Sequence, residues 1–287
     1  MAVGCANLNC TPDPLSPAID VLHAIWQRTK DAVILGRNDG LQLLTGVTEA
    51  VAEPAARQHT IALLLPTLNE LQGLKATLPL LDHSLVDDVI VIDGGSRDGT
   101  VEFALGAGLT VVSQLRPGLH FAVFDIGRAL PHDFIIEFSP DGNCKADQLP
   151  ELVAKLRQGY DHVVVSRYLA HAVSEDDHVI TAFGNWMFSR LMRPLANFPV
   201  TDALNIYRGY RRQILDDPDF EFYLKGPVLE PLVTGMCALR GARATEIPGD
   251  EPVRIGGVTK RSIIYNGSMV LLMIVRLYLR TFLGLRI

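Results

Sequence analysis

The chain has 287 residues, with 26 lysines and arginines against 32 aspartates and glutamates, a formal net charge of −6 and 48% apolar residues. This balance excludes a disordered chain, a collagen-like repeat and a generic binder of nucleic acid or other polyanions. The length fits two domains of about 150 residues each, or one α/β core carrying an extension.

Residues 1–17 read as irregular. Pro12, Asp13, Pro14, Pro17 and Asp20 stand where a secretory signal needs a continuous apolar stretch, so the chain is expected to stay in the cytoplasm. The four cysteines, Cys5, Cys10, Cys144 and Cys237, form no CxxC pair and have no histidine at zinc-site spacing. They read as reduced structural thiols. Ile19, Leu22, Trp26 and Val33 recur at helical spacing, and a second helical stretch is predicted over Leu41 to Ala52, before a linker from Glu53 to Thr60. Residues 1–58 are therefore expected to be a helical extension of a main domain at 59–265, with an apolar helix at 266–287.

The main domain opens with Ile61-Ala-Leu-Leu-Leu65, closed by Pro66, and Val89-Ile-Val-Ile92, closed by Asp93. Runs apolar at every position suit strands buried on both faces of a parallel sheet. Between them, Leu71, Leu74, Leu78 and Leu81 predict a helix with Thr67 or Asn69 as its cap. Strands near Leu109 to Ser113, Phe134 to Phe138 and Val163 to Ser166 alternate with helices from about Leu119 and Gln148. The pattern predicts an α/β fold with a mostly parallel central sheet and helices on both faces.

Ligands of open α/β sheets bind beyond the carboxyl ends of the strands. The residues there are polar and distinctive: Pro66-Thr-Leu-Asn-Glu70, Asp93-Gly-Gly-Ser-Arg-Asp-Gly-Thr100, Ser139-Pro-Asp-Gly-Asn143 and Ser166-Arg-Tyr168. These strand ends resemble glycosyltransferase family 2, nearest the polyprenyl-phosphate sugar transferases of the dolichol-phosphate mannose synthase type, over roughly residues 60–265. The resemblance implies a GT-A fold, a nucleoside diphosphate sugar as donor, a divalent Mg²⁺ or Mn²⁺ ion, and inversion at the anomeric carbon.

Carried over by position, it implies that Pro66, Thr67, Asn69 and Glu70 line the nucleotide pocket, that Asp93 reads the base or ribose, and that Gly95 and Ser96 belong to the same loop. Asp93 is followed by Gly94 where the family often has a second acid. The residues alone also fit a structural turn in which Ser96 and Asp98 bond local amides. The family's D-x-D falls on Ser139-Pro140-Asp141, which leaves Asp141 as the metal carboxylate with Asn143 as an auxiliary ligand, or an Asp in an ordinary Asp-Gly turn. The acidic Glu175-Asp-Asp177-His178 stretch offers a further ligand, but a solvated charge run is the simpler account. Arg167 matches the arginine that holds an acceptor phosphate, Arg208 keeps the cation of an altered Gly-Phe-Arg, and Lys260 matches loosely a loop over the diphosphate, with a solvated surface role as the alternative.

The residues leave the acceptor open. Arg167, Arg208 and Lys260 suit a lipid phosphate, already anionic at neutral pH, whereas a glycan or other hydroxyl needs a carboxylate base, for which Asp202 is the candidate. The bland account of Asp202 is a helix cap or an orienting partner for an arginine. From Ser268 to Leu283 the chain is almost wholly apolar, with Arg276 and Arg280 on one helix face, which suits a helix lying in a membrane interface better than one crossing the membrane, or one packed on the domain or on a second subunit. The reading is an inverting sugar transferase with a lipid-phosphate acceptor. Its rivals are a hydroxyl-acceptor transferase and a nucleotide-binding module without catalysis; a nucleotidyltransferase is disfavoured because no Gly-rich phosphate loop follows the first strand.

Overall fold

The computed structural model describes residues 32–37, 40–45, 59–255 and 262–284. Its strands are β1 (Ala32–Arg37), β2 (Gly40–Thr45), β3 (Ile61–Thr67), β4 (Asp88–Asp93), β5 (Thr110–Ser113), β6 (Phe134–Glu137), β7 (His162–Ser166), β8 (Arg208–Arg211) and β9 (Ala244–Pro248). Its α-helices are α1 (Leu71–Thr77), α2 (Thr100–Gly106), α3 (Leu119–Ala129), α4 (Leu149–Arg157), α5 (Val179–Met192), α6 (Phe220–Tyr223), α7 (Leu229–Leu239) and α8 (Ile263–Leu283). Among the described residues the strands form one sheet, in the order β2-β1-β5-β4-β3-β6-β8-β7-β9.

β3 shows why the sheet is buried on both sides. Its alternate residues Ile61, Leu63 and Leu65 pack with Leu74 of α1, Ala104 of α2 and Leu152 of α4, while Ala62 and Leu64 pack with Val123 of α3, Leu232 of α7 and Leu277 of α8. Side chains of a strand alternate between faces, so an uninterrupted apolar run requires two cores. Each fully buried leucine contributes about 1.5–3 kcal/mol.

The register decides where the loops emerge. β3 and β4 are parallel with Thr67 opposite Asp93, so their following loops leave the same edge side by side. β6 runs parallel to β3, bringing the chain towards Asp141 at that edge. β7 and β9 are parallel with Ser166 opposite Pro248, which sets Arg167 beside the segment from Gly249. Only β2 and β8 run against the rest.

The N-terminal helices need correction where the structure describes them. Leu41 to Thr45, expected to be helical, lie in β2, and Val33 lies in β1. β1 and β2 pair antiparallel with Arg37 opposite Gly40, and β1 joins the sheet through Ile34 opposite Val112 of β5. The physical reason is local: Ala32-Val-Ile-Leu35 is a β-rich run, and Asn38-Asp39-Gly40 is turn-forming chemistry between two apolar segments. Ile19, Leu22 and Trp26 lie outside the described residues.

α8 starts three residues before the expected 266. Ser262 caps it by accepting from the Tyr265 amide, and Gly284 ends it in a left-handed conformation. Val270, Met273, Ile274 and Leu277 face the domain, Tyr278 Oη donates to the Leu191 carbonyl at 2.8 Å, and Arg280 pairs with Asp219 at 2.6 Å. The other face leaves Ile264, Leu271, Leu272, Val275 and Phe282 exposed. With 21 residues, α8 is also long and apolar enough to cross a membrane.

Candidate active site

The loops after β3 and β4 are hydrogen-bonded into one unit. Asn69 adopts φ 60°, a left-handed conformation in which asparagine is enriched. There its amide donates to Ser96 Oγ at 2.8 Å while its side-chain oxygen accepts from the Arg97 amide at 2.8 Å. The Glu70 amide donates to Thr100 Oγ1 at 3.0 Å and the Leu71 amide to Asp98 at 3.1 Å. The start of α1 is therefore capped by Asp98 and Thr100 from the neighbouring loop, not by Thr67 or Asn69, because the two tips lie in register.

Asp93 is consumed by this same unit. Its carboxylate accepts from the amides of Gly95 at 2.8 Å and Ser96 at 3.1 Å, and it is 6% exposed. Asp93, Gly95 and Ser96 do not line the cavity described below. The Asp93 carboxylate thus holds its own turn, which presents Gly94 to that cavity.

Asp141 is delivered to the site by a close approach. A Cβ on Gly73 of α1 would overlap the Pro140 carbonyl oxygen and lie 2.9 Å from Asp141 Cα, so only glycine lets α1 meet this loop. Asp141 accepts from the Asn143 amide at 3.1 Å, and the Asn143 side-chain nitrogen donates to Asp176 at 3.0 Å. Arg254 approaches both acids, with Nε 3.2 Å from Asp176 and Nη1 3.8 Å from Asp141. Asp176 is therefore no solvated charge, as its stretch was expected to be. Burial, with Asp141 adding to it and Arg254 opposing, raises the Glu70 carboxyl to about 7.

This anionic crowding, with the Asn143 side-chain oxygen left buried and unpartnered, fits a divalent cation held by Asp141 and Asn143. Among the described residues no group of three or more His, Cys, Asp and Glu is arranged around a metal position. Hard ions whose other ligands are substrate phosphates and waters need only one or two carboxylates.

Across the site, Arg167 is gripped on two sides. Its Nε and Nη2 donate to Asp202 at 2.7 and 3.0 Å, and its Nη1 donates to both Glu251 oxygens at 3.2 Å. Asp202 is fully buried and accepts further from the amides of Arg167, Leu204 and Asn205. Burial alone would raise its carboxyl, but the Arg167 charge and hydrogen bonds outweigh burial and hold it below the usual carboxylate range. Such a group is a poor proton acceptor, so the candidate base is corrected to an anchor for Arg167.

Arg208 is corrected as well. It is 0% exposed at the start of β8, between β6 and β7, with Nε donating to the Asn205 carbonyl at 2.8 Å and Nη1 to Thr234 Oγ1 at 3.0 Å. Its remaining donors reach the Glu230 and Ala203 carbonyls, leaving nothing for an acceptor. Lys260 lies outside the described residues.

One cavity of about 770 Å³ gathers the rest: Pro66, Thr67, Asn69, Glu70, Asp141, Asn143 and Arg167 all line it. Residues 62–217 match the model of glycosyl transferase family 2. The chain belongs to that family. It is a glycosyltransferase with the GT-A fold.

Glycosyltransferase AglJ of Haloferax volcanii is 27% identical over 232 residues, spanning 73% of this chain and 76% of AglJ. The undecaprenyl-phosphate mannosyltransferase of Micrococcus luteus is 28% identical, over 64% of this chain and 80% of its own. The polyprenol monophosphomannose synthase of Mycolicibacterium smegmatis is 26% identical, over 76% and 86%. The fold is shared with glucosyl-3-phosphoglycerate synthase from Mycobacterium tuberculosis, solved in complex with Mn²⁺, uridine diphosphate and phosphoglyceric acid, at a TM-score of 0.54 and 23% identity, over 77% of this chain and 78% of that one.

Sequence reasoning missed Glu251 and Arg254, and set Asp176 aside. Glu251 and Arg254 follow β9 without a motif of their own; the available signal was topological, since residues after a strand parallel to β7 must emerge beside Arg167.

Proposed function

We propose that this glycosyltransferase moves a sugar from a nucleoside diphosphate sugar to a polyprenyl phosphate, with inversion at the anomeric carbon. The observation that supports this most is the single cavity in which Asn69 and Glu70, Asp141, and the Arg167 guanidinium face one space. The donor diphosphate lies towards Asp141 and the acceptor phosphate towards Arg167, where it would take the place of Glu251 on Nη1 while Asp202 keeps the guanidinium in position, and this anion needs no base. When bound, a Mg²⁺ or Mn²⁺ ion neutralises charge developing on the departing diphosphate, with Asp141 and Asn143 holding it. The acceptor phosphate oxygen forms its bond to the anomeric carbon as the diphosphate leaves with the electron pair of the breaking bond. A hydroxyl acceptor is less well served, because Asp202, its candidate base, is spent on Arg167.

The surface agrees with a lipid-borne acceptor. Val179, Ile180, Phe183 and Trp186 of α5 are exposed, and α5 packs against α8, whose own outer face is apolar. Apolar side chains of this kind on neighbouring helices suit the headgroup region of a bilayer. The test is transfer from radiolabelled UDP- and GDP-sugars to polyprenyl phosphate in vesicles, read by extraction into organic solvent and by flotation of the protein with the vesicles. Label in the lipid phase and a floating protein are expected. A panel in which no donor labels the lipid would refute the acceptor, and a protein that never floats would refute the membrane contact.

A further inference from the structure

We propose that Asp176 is the second carboxylate of the divalent-cation site, supplied in space where Ser139 and Pro140 leave the strand-end motif with one acid, and that Arg254 stands between the two acids as an exchangeable counter-ion. This rests on the reading of the cavity as a metal–diphosphate site.

Three observations converge. First, Asp176 does not itself line the cavity but hangs on the same lining residue as Asp141: the Asn143 amide donates to Asp141 at 3.1 Å and its side-chain nitrogen to Asp176 at 3.0 Å. Second, that assignment leaves the Asn143 side-chain oxygen as the free end of the amide; it is buried without a partner, on a residue 8% exposed that lines the cavity. An unpaired buried amide oxygen is costly and is a good ligand for a hard cation. Third, Arg254 is the cation that these acids already have, at 3.2 Å from Asp176 and 3.8 Å from Asp141.

The Arg254 contacts are loose, and its side chain is 31% exposed. A part-exposed pair of this kind contributes little, so a divalent ion can displace it. The guanidinium, displaced from the acids, remains beside the diphosphate that enters with the ion. Asp177, next in sequence, is differently occupied: its carboxylate bonds the hydroxyls of Tyr168 and Thr181 and pins the start of α5.

The experiment is titration of the full chain with Mn²⁺, alone and with UDP or GDP, following free Mn²⁺ by electron paramagnetic resonance, with unfolding midpoints measured for every variant. Asp176→Asn is expected to weaken Mn²⁺ by about tenfold or more, the scale on which groups supporting a metal site act. Arg254→Gln is expected to tighten Mn²⁺ in the absence of nucleotide, by about two- to fivefold. Asp177→Asn is expected to leave the affinity unchanged, which separates a ligand from a general loss of negative charge.

If Asp141→Asn abolishes binding while Asp176→Asn matches the parent, or if Asp177→Asn is as damaging as Asp176→Asn, the pairing is overturned and the donor reading survives. Unchanged or weaker binding by Arg254→Gln overturns the counter-ion. If the parent chain takes up no Mn²⁺ with either nucleotide, the metal–diphosphate reading itself falls.

Discussion

The two halves of the cavity are built on different principles. On the donor side, the loops after β3 and β4 hold each other through backbone amides and short side chains, with Asn69, Ser96, Asp98 and Thr100 each saturating a neighbour. On the other, Arg167 with Glu251 and Asp176 with Arg254 are held by ion pairs between chain segments far apart. Backbone-amide contacts fix one geometry, whereas long charged side chains hold geometries that a new anion or cation can redistribute. The loop side, proposed above for the donor, is thus a rigid cradle. The charged side is a set of charges already paired, whose partners the proposed substrates would have to exchange.

The largest test of this contrast lies where the acceptor side is most rigid, at the Arg167–Asp202 pair. Asp202→Ala removes a fully buried carboxylate and leaves Arg167, whose side chain is 13% exposed, with only Glu251. Breaking a buried pair by removing one partner costs about 3–5 kcal/mol. The expected outcome is a large fall in the urea midpoint together with loss of transfer. If stability is retained and only the rate falls, Asp202 acts as a base and not as the anchor of Arg167.

A smaller effect is expected from Gly73→Ala, which probes how the donor side reaches Asp141. The added Cβ meets backbone at Pro140 and Asp141, which cannot rotate away. Overpacking of this kind costs about 1–3 kcal/mol, and the shift falls on Asp141, the proposed metal carboxylate, so transfer and Mn²⁺ affinity should drop together. A variant that loses stability but binds Mn²⁺ normally would show that Asp141 is positioned from elsewhere.

What was legible in the sequence follows the same divide. Strands β3 and β4 and their tips could be read because their signals are local: apolar runs, then Pro66, Asn69 and Gly94 within a few residues. The charged half joins residues 33 positions apart at Asn143 and Asp176, 78 apart at Asp176 and Arg254, and 84 apart at Arg167 and Glu251, and no periodicity records such pairings. Arg208 shows the converse error. Amid Tyr207-Arg-Gly-Tyr-Arg211 it reads as a free cation, but insertion of β8 antiparallel between β6 and β7 buries it on backbone carbonyls. Asp93 is a subtler case: the motif is real, yet its carboxylate serves the turn that presents the cavity rather than the cavity itself.

The smallest effect sharpens the contrast through pH. Asp98 accepts from the amides of Leu71 at 3.1 Å and Thr100 at 3.0 Å and so ties α1 to the β4 loop. Slight burial works to raise its carboxyl, but the hydrogen bonds from Thr100 and Leu71 together prevail and hold it below the ordinary carboxylate range. A carboxyl lowered by folding gives stability that is complete above its unfolded pKa, about 3.9, and fades as pH falls through its folded one. Asp98→Ala should therefore cost about 1 kcal/mol near neutral pH, as for a lost helix cap. The difference between variant and parent should then shrink below about pH 4, followed by denaturant midpoints across the acid range. A difference that stays constant with pH would mean that Asp98 supports the loop by shape alone, and the donor cradle would then owe its rigidity to the backbone of Asn69 and Gly99 rather than to this carboxylate.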